Sequence, residues 1–109
     1  MRVFIELSYD GTRYHGWPRQ PVSFTVQQAI EEALERLCGT KTAIVGCGRT
    51  DAEVHASYYV AHCDIPSFSN AQRFDSLDQL AFKLNGMLND DIAIRAITEV
   101  SDKAHARFD

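Results

Sequence analysis

Thr25-Val-Gln-Gln-Ala-Ile-Glu-Glu-Ala-Leu-Glu-Arg-Leu-Cys-Gly39 is the stretch on which the fold turns. Thr25 followed three residues later by Gln28 is a capping box, in which a side-chain oxygen accepts one of the unpaired N–H groups at a helix start. Val26, Ala29, Ile30, Ala33, Leu34 and Leu37 recur at helical spacing and form one apolar stripe. Gly39 stands where a left-handed residue stops a helix. Working back, Val3, Ile5, Leu7 and Tyr9 alternate with Arg2, Phe4, Glu6 and Ser8, which predicts a strand ended by Asp10-Gly11. Gly16, Pro18 and Pro21 keep the chain between strand and helix irregular.

Working forward, strands are expected from about Thr42 to Gly48 and from about His55 to Asp64, then a polar connection from Ser67 to Ser76. A second helix is capped by Ser76 with Gln79 and packs through Leu77, Leu80, Ala81, Leu84 and Leu88. After the turn at Asn89-Asp90-Asp91, a fourth strand is expected to place Ile92, Ile94, Ala96 and Thr98 on one side, with Arg95 and Glu99 opposite. The order βαββαβ is that of a ferredoxin-like α+β fold, a four-stranded antiparallel sheet with two helices on one face. Many RNA-binding, metabolic and regulatory domains share this plan, so it does not decide function.

The 109 residues suit one domain, 1–109, with 45% hydrophobic and 24% charged residues. No apolar run approaches the length of a membrane span, and strand-like alternation from Arg2 onward does not read as a signal peptide. Cys38, Cys47 and Cys63 form no CxxC pair, a pattern that fits buried thiols in a reducing cytoplasm. His55 and His62 are an odd offset apart on one strand and face opposite sides, and neither cysteine pairs with them at ligand spacing, so no metal is expected. The formal charge of −4 argues against nucleic-acid binding by bulk charge. The run Gly11–Gln20 is locally basic, however, with Arg13, Tyr14, His15, Trp17 and Arg19 and no acid.

Gly46-Cys-Gly-Arg-Thr-Asp-Ala-Glu-Val-His-Ala56 is the segment with chemistry in it. Glycines at a strand end let the backbone turn tightly. If the loop is locally extended, Arg49 and Asp51, two apart, leave the same side of it. The guanidinium favours an ionised carboxylate, which is competent as a nucleophile. By residue type alone, such a pattern is more often a solvated turn with a surface ion pair than an active site.

The motifs taken together are more specific. Gly48-Arg-Thr-Asp-Ala52 with Val54-His55 resembles the Gly-Arg-Thr-Asp-Ala-Gly-Val-His signature of the tRNA pseudouridine synthase A family. Tyr9-Asp-Gly-Thr-Arg-Tyr-His-Gly-Trp17, with Arg19 and Gln20, is similar to the family's opening block. Val26-Gln27, Val60-Ala-His62 and His105-Ala-Arg-Phe108 follow in the family's order. Glu53 departs from the family's glycine, and Pro18 from its glutamine. A carboxylate at position 53 raises the pKa of Asp51 and repels phosphate unless it turns outward or pairs with Arg49.

The resemblance implies isomerisation of uridine in the tRNA anticodon arm, with Asp51 as the attacking carboxylate and Arg49 beside it, after the target base is flipped out. It implies no cofactor, a cytoplasmic enzyme, and a homodimer for the full-length protein. Arg13, Tyr14, His15, Trp17, Arg19, Gln20 and His55 become the expected RNA contacts, through stacking and phosphate pairing. Local packing is the competing role for Trp17, and structural support for His55. In the family a second half supplies the stacking tyrosine and a basic partner. The chain is thus expected to be an N-terminal half with little activity alone. A non-catalytic RNA-binding module of the same fold is the alternative, and a ligand-binding regulatory domain stands well behind.

Overall fold

The computed structural model describes residues 1–10, 25–47, 56–66 and 74–106. The elements run β1 (Arg2–Tyr9), α1 (Val26–Cys38), β2 (Ile44–Gly46), β3 (Ala56–Asp64), α2 (Leu77–Met87) and β4 (Ile92–Val100). One antiparallel sheet has the order β2-β3-β1-β4, so the first strand lies inside and the chain crosses over twice through helices. This is the ferredoxin-like α+β plan the sequence predicts.

Alternation on β1 does what period two requires. Val3, Ile5, Leu7 and Tyr9 are buried beneath the helices, and the intervening residues face the other side. α1 presses Val26, Ile30, Leu34 and Leu37 onto that layer, and α2 adds Leu80 and Leu84. Both helix starts are capped as expected. Thr25 Oγ1 accepts from Gln28 N–H at 3.3 Å, and Ser76 Oγ from Gln79 N–H at 3.1 Å. Gly39 adopts φ 77° and donates its N–H to Glu35 O at 3.0 Å, the left-handed stop that favours glycine.

Two details differ from the sequence reading. β2 is three residues long rather than Thr42–Gly48, because it is an edge strand paired only where Ile44, Val45 and Gly46 meet Cys63, His62 and Ala61. β4 changes phase midway. Glu6 pairs with Ala96 but Leu7 with Ile94, so Arg95 is an extra residue. Beyond this bulge Ile97 turns inward and Thr98 outward, the reverse of the expected alternation. α2 packs as the sequence predicts, with Leu80 and Leu84 buried and Leu77, Ala81 and the following Leu88 partly buried against the same core.

Side chains complete the ladder where strands end. Glu31, nearly buried on α1, accepts from Ile44 N–H at 2.8 Å and from the Gln27 amide at 2.9 Å. The Gln27 amide also donates to Ile44 O at 3.2 Å, so α1 grips β2 from both backbone groups. Asn85 of α2 does the same for β4, donating to Ile94 O at 2.9 Å and accepting from Ile94 N–H at 2.8 Å. Edge strands are thereby held in register by helix side chains.

Candidate nucleic-acid interface

The crossover topology puts three strand ends together. β1 finishes at Tyr9, β3 begins at Ala56, and these two are direct partners. Beside them β2 ends, and Cys47 N–H donates to Val60 O at 2.8 Å. Segment 48–55 therefore joins two neighbouring strands at this end of the sheet, and segment 11–24 leaves β1 from the same end. Arg49 and Asp51, together with Arg13, Tyr14, His15, Trp17, Arg19, Gln20 and His55, lie outside the described residues.

The face of the sheet away from the helices carries a groove of about 470 Å³. Phe4 and Glu6 of β1, Tyr58 and Val60 of β3, and Thr98 of β4 line it, with Cys47 at the motif side. Tyr58 is 60% exposed. Its hydroxyl donates to Glu6 Oε1 at 2.7 Å. That hydrogen bond is the main reason the phenol is pushed above its ordinary pKa, with desolvation and the Glu6 charge adding to it. Tyr59, the next residue, points the other way and is buried edge-on against Tyr9 with ring centroids 5.8 Å apart.

The other end of the groove is closed by the chain after β4. Arg2 Nη1 donates to Ala104 O at 2.8 Å, while its other nitrogens form a two-pronged pair with Asp64, both contacts at 2.9 Å. Ala106 N–H donates to His62 Nδ1 at 3.0 Å, and the His62 and His105 rings meet edge-on at 4.4 Å. Residues 104–106 thus lie across the open face over β1 and β3. Burial, followed by the nearby charges of Arg2 and His105, holds the His62 pKa below its ordinary value, with Asp64 opposing. Neutral imidazole is the form that can accept at Nδ1. The Arg2 pair lowers the Asp64 pKa. His62 is thus the satisfied sheet histidine that its place in the strand suggests.

The thiols are quiet. Burial pushes Cys63 up to about 12 and raises Cys38 as well, so neither is a ready thiolate. Among the described residues no group of three or more His, Cys, Asp and Glu could hold a metal ion. No helix among them is long and apolar enough to cross a membrane. Sequence reasoning passed over Phe4, Glu6 and Tyr58 as candidate contacts. The available signal was their outward phase on the two strands whose inward neighbours form the core.

No family model matches the chain. Named relatives match almost all of it. The tRNA pseudouridine synthase A of Parabacteroides distasonis is 49% identical over 108 residues, 99% of this chain and 41% of that protein. The protein of the same name from Bacteroides fragilis is 44% identical over 108 residues, with the same coverage of 99% and 41%. That of Pseudoalteromonas translucida is 46% identical over 110 residues, covering 99% of this chain and 39% of the relative. The chain spans about two fifths of the length of the curated relatives it matches. Identity of this order along the whole chain comes from common descent, and the chain belongs to the tRNA pseudouridine synthase A family.

Proposed function

We propose that this chain supplies the aspartate-bearing part of a tRNA pseudouridine synthase, with Asp51 as the carboxylate that attacks the target uridine. The observation that carries the reading is the 38–49% identity to proteins of that name across the chain, motif loop included. The reaction is an isomerisation. The bond from ribose C1′ to uracil N1 breaks and a bond from C1′ to C5 forms. C5 gives up its proton and N1 gains one, so no oxidant, reductant or water is consumed and no cofactor is required.

The framework described above supports this role. Segment 48–55 is tied at both ends into neighbouring strands, through Cys47 on one side and Ala56 on the other. Fixed flanking strands are the kind of support a catalytic carboxylate needs. Arg49 beside Asp51 favours its ionised form and provides a cation for the flipped nucleotide. On this proposal Arg13, Tyr14, His15, Trp17, Arg19, Gln20 and His55 contact phosphates and unpaired bases of the tRNA. On this reading tRNA is the substrate, the work is done in the cytoplasm, and the whole protein pairs as a homodimer.

The test replaces, in the Bacteroides fragilis relative, the segment that this chain matches by the chain itself. Release of tritium from tRNA labelled at uridine C5 then reports C5 substitution directly. The chimera is expected to release tritium, and a folded, soluble chimera that binds tRNA yet releases none would sink the proposal. The same assay run on the 109-residue chain alone is expected to give little release.

A further inference from the structure

Resting on the RNA-modifying reading above, we propose that the open face of the sheet is a subsite for a single unpaired nucleobase, stacked on Tyr58 and hydrogen-bonded through an N–H to Glu6. It is built from β1 and β3 rather than from Asp51 and Arg49, and the nucleotide it holds is not the one that reacts.

Four observations converge on it. Phe4 and Tyr58 are carried outward by β1 and β3, the two inner strands of a four-stranded sheet whose other face is covered by helices. Aromatic rings on the open face of such a sheet are a general means of stacking unpaired bases. Tyr58 also sits at an irregularity. Leu7 pairs with Tyr59 and Tyr9 with Ala56, so Ser57 and Tyr58 together stand opposite Ser8. A bulge re-aims side chains, and here it accompanies a ring left 60% exposed beside one that is buried.

The ring is also held in place. Its hydroxyl is tied to Glu6 Oε1 at 2.7 Å, so part of the ordering needed for stacking is present before any ligand arrives. Finally, the charge selects the ligand. Among the described residues, the groove lining includes the Glu6 carboxylate and no lysine or arginine. The Glu6 carboxylate disfavours a phosphate beside it and suits a neutral planar base, because its Oε2 can take a hydrogen bond from an N–H on the base edge. Uracil offers such a donor at N3. Cys47, the last described residue before the motif segment, lines the same groove, so a base held here would lie beside the point where the chain enters that segment.

The experiment is a fluorescence-anisotropy titration of the 109-residue chain with a short fluorescein-labelled oligouridylate, and with the same oligomer built from 3-methyluridine, which lacks the N3 proton. Tyr58→Ala is expected to weaken oligouridylate binding about 5- to 100-fold, the range for losing one stacked base. Tyr58→Phe, which keeps the ring, is expected to stay within about threefold, and the salt dependence of Tyr58→Ala to match the parent's. Methylation is expected to weaken binding about tenfold for the parent and to make no difference to Glu6→Ala. Thermal unfolding of each variant checks that it remains folded.

If the parent binds and Tyr58→Ala binds equally well, the subsite is wrong while the RNA reading stands. If the unaltered chain binds no RNA, the subsite is wrong, and tritium release by the chimera still decides the reading on which it rests. Self-association that Tyr58→Ala abolishes, with RNA affinity unmoved, would instead assign the face to a second copy of the chain and overturn the subsite.

Discussion

Glu31→Ala removes the carboxylate that fastens α1 to β2, and its cost can be worked from the contacts. Glu31 is 8% exposed and Ile44 2%. Its Oε2 accepts from Ile44 N–H at 2.8 Å and from the Gln27 amide at 2.9 Å. Truncation leaves the Ile44 N–H buried without that acceptor, at a cost of about 1–3 kcal/mol, toward the upper end because the acceptor is charged. We take about 2.5 kcal/mol. A chain of this size shifts its melting temperature by about 4 °C per kcal/mol, so Glu31→Ala should melt about 10 °C below the parent. Glu31→Gln keeps an oxygen for Ile44 and should lose about 1 kcal/mol or less. Thermal unfolding by circular dichroism, with amide exchange read at Ile44, measures both. A Glu31→Ala melt within about 2 °C of the parent, or a Glu31→Gln variant as unstable as the alanine, would refute the reasoning. The consequence reaches function, because β2 has only three residues and feeds the chain into segment 48–55.

Asn85→Ala should cost about 1–3 kcal/mol and speed amide exchange at Ile94, whose N–H and C=O both bond to the Asn85 side chain. An Asn85→Asp variant should lose the bond to Ile94 O while keeping an acceptor for the N–H, and so fall between parent and alanine. Acid should act on His62. Its folded pKa lies below the ordinary 6.5, so the unfolded chain binds protons more readily and stability falls as pH drops through about 6.5 and below. Denaturant unfolding at a series of pH values should show this slope, and His62→Gln should flatten it. Asp64, with its depressed pKa, contributes stability that is present above about 3.8 and is lost at lower pH as the carboxylate protonates. Iodoacetamide under native conditions should label Cys47, which is only partly buried, before Cys38 and Cys63, and equal labelling of Cys63 would contradict the burial assigned to it.

Most of the fold could be read from residue order because local and global signals agree. Thr25, Gly39 and Ser76 carry their own capping chemistry, and the apolar stripe of α1 and the alternation of β1 each have a single interpretation. β2 and β4 were harder for a physical reason. Nothing in Thr42–Gly48 says where an edge strand stops pairing, since that depends on how far β3 runs beside it. In Ile92-Ala-Ile-Arg-Ala-Ile-Thr98 an apolar residue falls in either phase, so one extra residue at Arg95 moves Ile97 inward without leaving a trace in the pattern. The motif around Asp51 was visible as a linear signature because its residues are adjacent. The Tyr58–Glu6 pair was not, because its partners are 52 positions apart and meet only through the register of β1 on β3. His62 and Ala106 met in the same way, through a return of the chain after β4 that no periodicity announces.

The most direct test of the central claim compares Asp51 with Asp51→Asn in the chimera, by single-turnover tritium release at saturating tRNA, with tRNA affinity measured alongside. Asparagine is close in size and cannot attack as a carboxylate. The rate should fall at least about 1000-fold, equivalent to about 4 kcal/mol of barrier, while tRNA binding stays within about threefold. An asparagine variant that releases tritium within about tenfold of the parent rate would show that the carboxylate at position 51 does not perform the chemistry.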